Sequence, residues 1–471
     1  MPTLDAEISR IQDHLRDLQE KRTGLATLHS QHTGILSPLR RMPPEILYEI
    51  FSWTVPLRDV FRAEKSPWIL TRVCSGWRAI ALSQPSLWSL LVFDFSIEQQ
   101  YPLKMVLTQI ERARWLKVHF FGSEVHVSGP QLALFGLLAE HSARWEELSI
   151  QLTSDLVPHM RSLKLPALHR AWVQWDTPES QPAELESVDF LQTATSLVDI
   201  TVYSEFRFLP THIPVFRQLT RYDFDAPWKT HRELLKSLPN LHEVRIRRYF
   251  DDGVGWAEPS EPIDLLRLRW LYVDYPTCLD YLRAPVLEEI AIAMKIRDTD
   301  NTEISRSLER FFVRSSCSPR RLCVQGLLDA SITTLLEKYP SITEIDVTDE
   351  DEEDENIRRT ICSSFLTLFT IPEPTPSQVV LPHITKIGLA CETVDVSLFA
   401  LFLNMLESRW TALGCSLKAT ELLLSEPTTQ PDLAPWERIE MLRQAGLEIS
   451  LVSGGDASTR VDEWLFRAAW T

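Results

Sequence analysis

Apolar residues near the start of the chain recur at Leu4, Ile8, Ile11, Leu15, Leu18 and Leu25, stepping by 4 and 3, with Arg22 completing the series. This is the a/d stripe of a heptad helix, and Asp5, Glu7, Arg10, Asp13, Arg16, Asp17, Glu20 and Lys21 fill its other faces. About three heptads are marginal in water, so the stripe is expected to bury against its own chain, a second copy or a partner helix. Gly24, and then Gly34 with Pro38, are expected to close this segment, which spans residues 1–34.

The pattern then shortens. Pro43 and Pro44 suit a helix start, where a missing N–H costs nothing, and Glu45 suits the positive end of the helix dipole. Ile46, Leu47, Ile50 and Phe51 follow at i, i+1, i+4 and i+5. A second helical series, Leu70, Val73, Cys74, Trp77, Ile80 and Leu82, stops at Pro85, and Leu87 with Trp88 would close a small core. A bundle of this size has more apolar surface than about 50 residues can hide, so part of it is expected to meet a partner.

From residue 113 onward the period changes to apolar-x-x-apolar-x-apolar. Copies stand at Ala113/Leu116/Val118, Trp145/Leu148/Ile150, Leu168/Ala171/Val173, Leu197/Ile200/Val202, Leu219/Tyr222/Phe224, Leu241/Val244/Ile246, Leu268/Leu271/Val273 and Leu287/Ile290/Ile292. Weaker copies follow at Leu322/Val324, Ile342/Ile345/Val347, Ile384/Ile387/Leu389 and Leu422/Leu424. Between residues 145 and 287 the first positions lie 23, 29, 22, 22, 27 and 19 residues apart, which is the leucine-rich-repeat period. Apolar residues at i and i+2 put one face of a short strand into a core. Helical stretches at 184–191, 231–238, 303–313, 332–339 and 398–410 separate the strands. One strand and one helix cannot close a core alone, so the units are expected to stack. The fold class expected is α/β: an amphipathic helix, a small all-α bundle at 35–92, and an irregular leucine-rich-repeat-like solenoid at 93–471. Residues 320–471 as a separate α/β domain is the alternative. The ladder Asn is absent, and the spacing widens to 42 residues between 342 and 384.

The period of two also fixes which side chains leave the core face. These are Asp199, Thr201, Tyr203; Arg221, Asp223, Asp225; Glu243, Arg245, Arg247; and Trp270, Tyr272, Asp274. Aromatic and Arg side chains, enriched at binding hot spots, stand there beside acids. Tyr203, Arg245, Arg247, Trp270, Tyr272 and Asp274 are therefore the expected substrate-binding residues, on an open concave face.

The stretches PLRRMPPEILYEIFSWTV (38–55) and SPWILTRVCSGWRAIALSQPSLWSLL (66–91) resemble the F-box family. Met42-Pro43-Pro44-Glu45-Ile46-Leu47 stands for the family's Leu-Pro-x-Glu-Ile/Leu-Leu, and Val73-Cys74-x-x-Trp77-Arg78 for its Val-Cys-Arg-x-Trp-Arg. Met42 is a volume-conserving departure, and residues 54–67 are an insertion relative to short F-boxes. The resemblance implies a substrate-recognition adaptor of a ubiquitin ligase, binding a Skp-family adaptor and through it a cullin. It implies that Pro43, Glu45, Ile46, Leu47, Ile50, Phe51, Val73, Cys74 and Trp77 face or support that adaptor. A repeat scaffold uncoupled from any ligase is the alternative.

Composition narrows the rest. In 471 residues, 48 Lys and Arg face 65 Asp and Glu, a net charge of −17 that disfavours nucleic-acid or anionic-membrane partners. Seven scattered Cys without a Cys-x-x-Cys, and no Asn-x-Ser/Thr sequon, fit a reducing compartment, cytoplasmic or nuclear rather than secreted. The polar, acidic start is not a secretory signal, and no apolar run nears the roughly 20 residues of a membrane span. No nucleotide, hydrolase or zinc motif occurs, so neither catalysis nor cofactor or metal is expected. Gly253-Val254-Gly255 lacks a following helix, and His29 with His32 lacks a second ligand cluster. The seven consecutive acids from Asp349 to Glu355 are expected to form a solvated tip.

Overall fold

The structure, a computed structural model, describes residues 2–36, 42–56, 58–97, 99–126, 128–175, 190–203, 217–247, 261–294, 301–328, 330–350, 352–371, 381–392, 394–426 and 433–467. The Gly253–Gly255 loop, most of the expected helix at 184–191 and most of the Pro-rich joints at 176–182, 256–262, 371–377 and 427–435 lie outside them. The chain divides into two compact units, one of residues 1–92 with 101–115 and one of residues 93–100 with 116–471.

The first unit is helical: α1 (Pro2–Leu36), α2 (Pro44–Trp53), α3 (Leu70–Val73), α4 (Ser75–Ser83) and α5 (Leu103–Arg112). α1 runs straight through Gly24 and Gly34, which were expected to end it; an isolated glycine costs a helix only about 1 kcal/mol. Ile11, Leu15, Leu18 and Leu25 remain 51–67% exposed. The unit's core is built on Leu47, Phe51, Leu70, Ala81, Leu87 and Trp88. Trp68 meets Trp88 edge-on at 5.0 Å, the Trp88 indole donates to the Ala81 carbonyl, and the Arg112 guanidinium lies 4.3 Å from the Trp88 ring centre. The 54–67 insertion contributes to this core. Val60, Phe61 and Ser66 are buried, and the Val60 carbonyl accepts from the Trp68 indole.

The second unit is mixed α/β with a large parallel sheet. After β1 (Leu90–Asp94), which straddles the division between units, come β2 (Leu116–Phe121), β3 (Trp145–Leu152), β4 (Arg170–Trp175), β5 (Asp199–Tyr203), β6 (Arg221–Asp225), β7 (Glu243–Arg247), β8 (Ile263–Asp264) and β9 (Trp270–Val273). Then follow β10 (Leu282–Arg283), β11 (Glu289–Met294), β12 (Arg321–Gly326), β13 (Glu344–Thr348), β14 (Lys386–Cys391), β15 (Ala419–Leu424) and β16 (Glu448–Ser453). From β2 to β16 each strand pairs in parallel with the next, except that β8 and β10 form a separate two-stranded ribbon. Pairing runs unbroken from β11 into β12, with Ile290 opposite Leu322.

The helices are α6 (Ser128–Ala139), α7 (Val157–Met160), α8 (Trp228–Ser237), α9 (Asn301–Ser315), α10 (Ala330–Lys338), α11 (Glu355–Phe369), α12 (Val396–Thr411), α13 (Leu433–Gln444) and α14 (Gly455–Trp464). α6 and α8 cover the apolar face: Phe135 packs edge-on against Phe120, and His231 shares a 2.8 Å hydrogen bond with Tyr222. Arg409, fully buried on α12, donates to the Phe369 and Leu381 carbonyls, so burial lowers its pKa to about 10 without leaving those donors unmet.

Where a ladder of Asn side chains is missing, main-chain bonds of 2.7–3.0 Å join the repeats. One residue ahead of each strand donates to its counterpart in the preceding repeat: His169 to Glu146, Val198 to His169, Thr220 to Val198, His242 to Thr220 and Arg269 to His242. The series continues through Glu288, Arg320, Thr343 and Thr385 to Lys418; at β16 the first strand residue, Glu448, makes the bond to the Lys418 carbonyl instead. Across the 42-residue gap, which holds α11, Thr385 still reaches the Thr343 carbonyl at 2.8 Å. In β15 the core pair is Thr420/Leu422, not the expected Leu422/Leu424. Thr420 sits opposite Ile387 and returns its hydroxyl to the Ile387 carbonyl, which satisfies a buried polar group that hid the copy. The acid run is not a solvated tip throughout: Asp349 is buried, and Asp354 caps α11 through the Asn356 and Ile357 amides.

Candidate interaction surfaces

α2 separates Ile46, Leu47, Ile50 and Phe51 into two pairs. Adjacent residues on a helix diverge by about 100°. Leu47 and Phe51 turn inward, at 5% and 1% exposure, and Phe51 meets the Trp77 ring at 4.8 Å. Ile46 and Ile50 turn outward, at 50% and 40%, and Trp53, seven residues after Ile46, continues that stripe at 83%. Pro43 and Glu45 lie exposed at the helix start. Val73 is 53% exposed at the end of α3. Cys74 is exposed as well, and its sulfur accepts from the Trp77 amide at 3.5 Å, so it serves as the N-cap of α4. Arg78 then ties α4 to α3 by donating to the Thr71 carbonyl. The sequence-derived residues thus divide into a buried support (Leu47, Phe51, with half-buried Trp77) and an exposed set (Pro43, Glu45, Ile46, Ile50, Val73, Cys74). Trp53 was missed, although its i+7 spacing from Ile46 was readable.

The second surface is the sheet face opposite α6 and α8. Its outer column reads Lys117, Glu147, Arg170, Asp199, Arg221, Glu243, Trp270, Glu289, Arg321, Glu344 and Lys386, each aligned with the next. Charge alternates at every step except at Trp270. Neighbours pair at 3.7 Å (Lys117–Glu147), 3.6 Å (Glu147–Arg170), 3.3 Å (Arg170–Asp199), 3.7 Å (Asp199–Arg221), 3.0 Å (Arg221–Glu243) and 3.2 Å (Glu289–Arg321). Opposite charges face one another across strands, where like charges would destabilise the pairing. This ladder takes the place of uncharged polar ladders in holding register.

Two carboxyls of this column shift in opposite directions. Burial opposes ionisation of Glu147, but a hydrogen bond from His119 and the charges of Lys117 and Arg170 outweigh it and hold its pKa below the ordinary range. Glu243 meets the break at Trp270 and has a cation on one side of its row only. Burial pushes it up to about 7, against Arg221, with Asp199 and Asp223 adding to the rise.

The expected open strip is not open. The period-two geometry places Tyr203, Arg245, Arg247, Trp270, Tyr272 and Asp274 on this face, but Arg245 and Arg247 are 5% exposed, Tyr272 2% and Asp274 3%, with Tyr203 and Trp270 half-buried. Arg247 donates to Asp223 at 2.9 Å and lies over Tyr203, while Arg245 approaches Asp223 at 3.7 Å and stacks on Tyr272. Tyr272 donates to Gln325. Beyond Tyr272 the face is covered by α14, whose Ala457, Val461 and Trp464 pack with Leu465 and Phe466 against Tyr272, Ala291, Ala293, Cys323, Ala390 and Leu423. The Phe466 carbonyl accepts from Arg221 at 2.6 Å. Sequence reasoning took the face as solvated because alternation reports only which side a residue takes.

Among the described residues no helix is long and apolar enough to cross a membrane, and no group of three or more His, Cys, Asp or Glu is arranged to hold a metal ion. The seven cysteines are free thiols, five of them buried.

Residues 39–94 match the family model described as F-box-like. No curated protein matches the chain. The match supports the F-box resemblance over the segment that carries α2, α3 and α4. F-box domains generally bind Skp-type adaptors and are typically adaptors rather than enzymes, so this domain suggests a ubiquitin-ligase adaptor role in general.

Proposed function

We propose that the chain is a non-catalytic substrate-recognition subunit of a Skp–cullin–F-box ubiquitin ligase. The observation that carries this reading is the exposed apolar stripe Ile46, Ile50 and Trp53, with Val73 beside the Cys74 cap, inside the F-box-like segment. Exposed apolar side chains grouped on one helix mark a docking surface rather than a core. In this reading Pro43, Glu45, Ile46, Ile50, Trp53, Val73 and Cys74 face the Skp-family adaptor, and Leu47, Phe51 and Trp77 hold α2 in place. The strand-and-helix repeats act as an irregular leucine-rich-repeat-like solenoid that carries a protein substrate. The test is co-purification with adaptor and cullin. Ile46→Asp with Ile50→Asp is expected to abolish recovery of both, since a carboxylate forced into an apolar contact costs several kcal/mol. Recovery at the wild-type level would overturn the ligase reading.

A separate observation favours self-association through α1, whose seam residues Ile11, Leu15, Leu18 and Leu25 lie exposed. Ile11→Lys with Leu18→Lys is expected to convert a dimeric light-scattering mass to a monomeric one. An identical mass for both proteins would remove that reading.

A further inference from the structure

The sheet face under α14 changes character along the strand order. Inner positions on β6, β7 and β9 carry Asp223, Arg245 and Tyr272; on β11, β12, β13 and β14 they carry Ala291, Cys323, Asp346 and Gly388, with Ala293 and Ala390 beside them, so that Asp346 is the one charged side chain among small ones. Small side chains lower the floor of the sheet, and α14 lies in the resulting lane. A methyl group on Gly388 would clash first with the Asp346 carboxylate and then, at 2.7 Å, with the Trp464 ring, so the bare glycine leaves room for both. Trp464 is 3% exposed, and Ala457 and Val461 reach the floor at i−7 and i−3 from it.

The fit is good for apolar surface and incomplete for polar groups. Asp346 is wholly buried beside Gly388 and Trp464; its Oδ2 accepts from the Arg321 guanidinium at 2.5 Å, while its Oδ1 makes no hydrogen bond among the described residues. The carboxylate is thus only partly satisfied, and the part of α14 beside it is the carbon edge of the Trp464 ring, which offers Oδ1 no donor. At the rims the match is ionic: Arg460 faces Glu421 at 3.9 Å, and Arg467 pairs with Glu350 at 2.6 Å. Gly454, at φ 70°, joins β16 to α14 in a backbone conformation that glycine adopts without strain. Because β16 is the edge strand, rotation about this joint would lift α14 while leaving the pairing of β15 with β16 intact.

We propose that this lane is a helix-binding site, that α14 is its internal occupant, and that a partner's amphipathic helix replaces it. The partner helix carries an aromatic anchor where Trp464 sits, small or β-branched residues one and two turns before it, and basic residues at either side for Glu421 and Glu350. A hydrogen-bond donor beside the anchor would satisfy Asp346, giving the partner an advantage that α14 lacks. This assigns a site and a partner class to the substrate contact proposed above, but its geometry does not depend on the ligase.

The experiment uses the full chain and a fluorescein-labelled peptide of residues 454–467. Fluorescence anisotropy is expected to show the peptide binding the Trp464→Ala chain at least tenfold tighter than the wild-type chain, whose lane is occupied. A Trp464→Ala peptide should bind neither. In parallel, hydrogen exchange of the wild-type chain is expected to show α14 amides opening independently of β12 and β14. A folded Trp464→Ala chain that binds the peptide no better than wild type overturns the proposal. So does exchange of α14 only together with those strands, which decides the matter if the variant fails to fold. Adaptor recovery by the same variant reads out the ligase assignment separately, so loss of the adaptor with peptide binding intact bears on that reading alone.

Discussion

The two units break the usual rule of burial in opposite directions. The helical unit leaves Ile46, Ile50, Trp53 and Val73 in water, while the sheet unit hides Asp223, Asp225, Arg245, Arg247, Asp274 and Asp346 at 5% exposure or less. An exposed apolar side chain costs a fold little, and where several are grouped on one helix, as Ile46, Ile50 and Trp53 are, they are open to the proposed partner. Buried charges on neighbouring strands stand against one another, Asp223 against Arg245 and Arg247 and Asp346 against Arg321, so they say which strands must lie side by side. The same departure from hydrophobic-in and polar-out therefore fits the proposed docking in one unit and fixes register in the other.

That contrast breaks most severely at Asp223, which faces both Arg245 and Arg247. Asp223→Ala leaves two guanidinium groups buried without it and is expected to destabilise the sheet unit by about 3–5 kcal/mol in a denaturant titration. A loss below about 1 kcal/mol would mean that the pairs are solvated in solution. The contrast sharpens on α2, where residues one position apart should behave oppositely. Phe51→Ala opens a cavity against Trp77 and is expected to cost about 3–5 kcal/mol. Ile50→Asp, on the outer side, is expected to stay within about 0.5 kcal/mol while removing adaptor binding. Equal costs for the two would mean that the stripe is not exposed.

The smallest effect concerns pH. Glu243 and Asp349 are each raised to about 7 by burial, so their folded forms hold a proton that their unfolded forms release at lower pH. Such groups contribute stability that is fully present below the unfolded value of 4.5 for Glu and 3.8 for Asp and is lost as pH rises through about 7. Glu243→Gln, which mimics the protonated form, is expected to flatten the stability difference between pH 5.5 and pH 8 by about 1–3 kcal/mol. Urea midpoints of the two proteins at both pH values check it. An unchanged difference would mean that Glu243 is ionised across that range and that Arg221 compensates fully.

The strands were legible because their signal is local. An apolar pair at i and i+2 behind an anchor residue located β2 through β7, β9, β11, β13 and β14, and the pair without its anchor located β12, since each such pair feels the same core. It failed at β15, where Thr420 takes an apolar position by bonding to a neighbouring strand, a partner that proximity in sequence does not reveal. The Pro-Pro-Glu start of α2 was equally legible, because dihedral restriction and the helix dipole act within one turn.

Three features belong to the tertiary structure alone. Which of Ile46 and Leu47 turns inward depends on where the Trp77 ring lies, not on the helix itself. The charge ladder is spread over residues 20 or more apart and becomes visible only when register aligns Arg170 with Asp199 and Arg221 with Glu243. The cover over the sheet comes from residues 455–466, far from the strands they bury, and nothing in the alternation at Arg245 or Tyr272 records what lies above them. The sequence by itself determined which side of each element a residue takes, because that follows from backbone periodicity. Whether that side meets water, a counter-charge or another helix was decided by long-range packing, which periodicity does not encode.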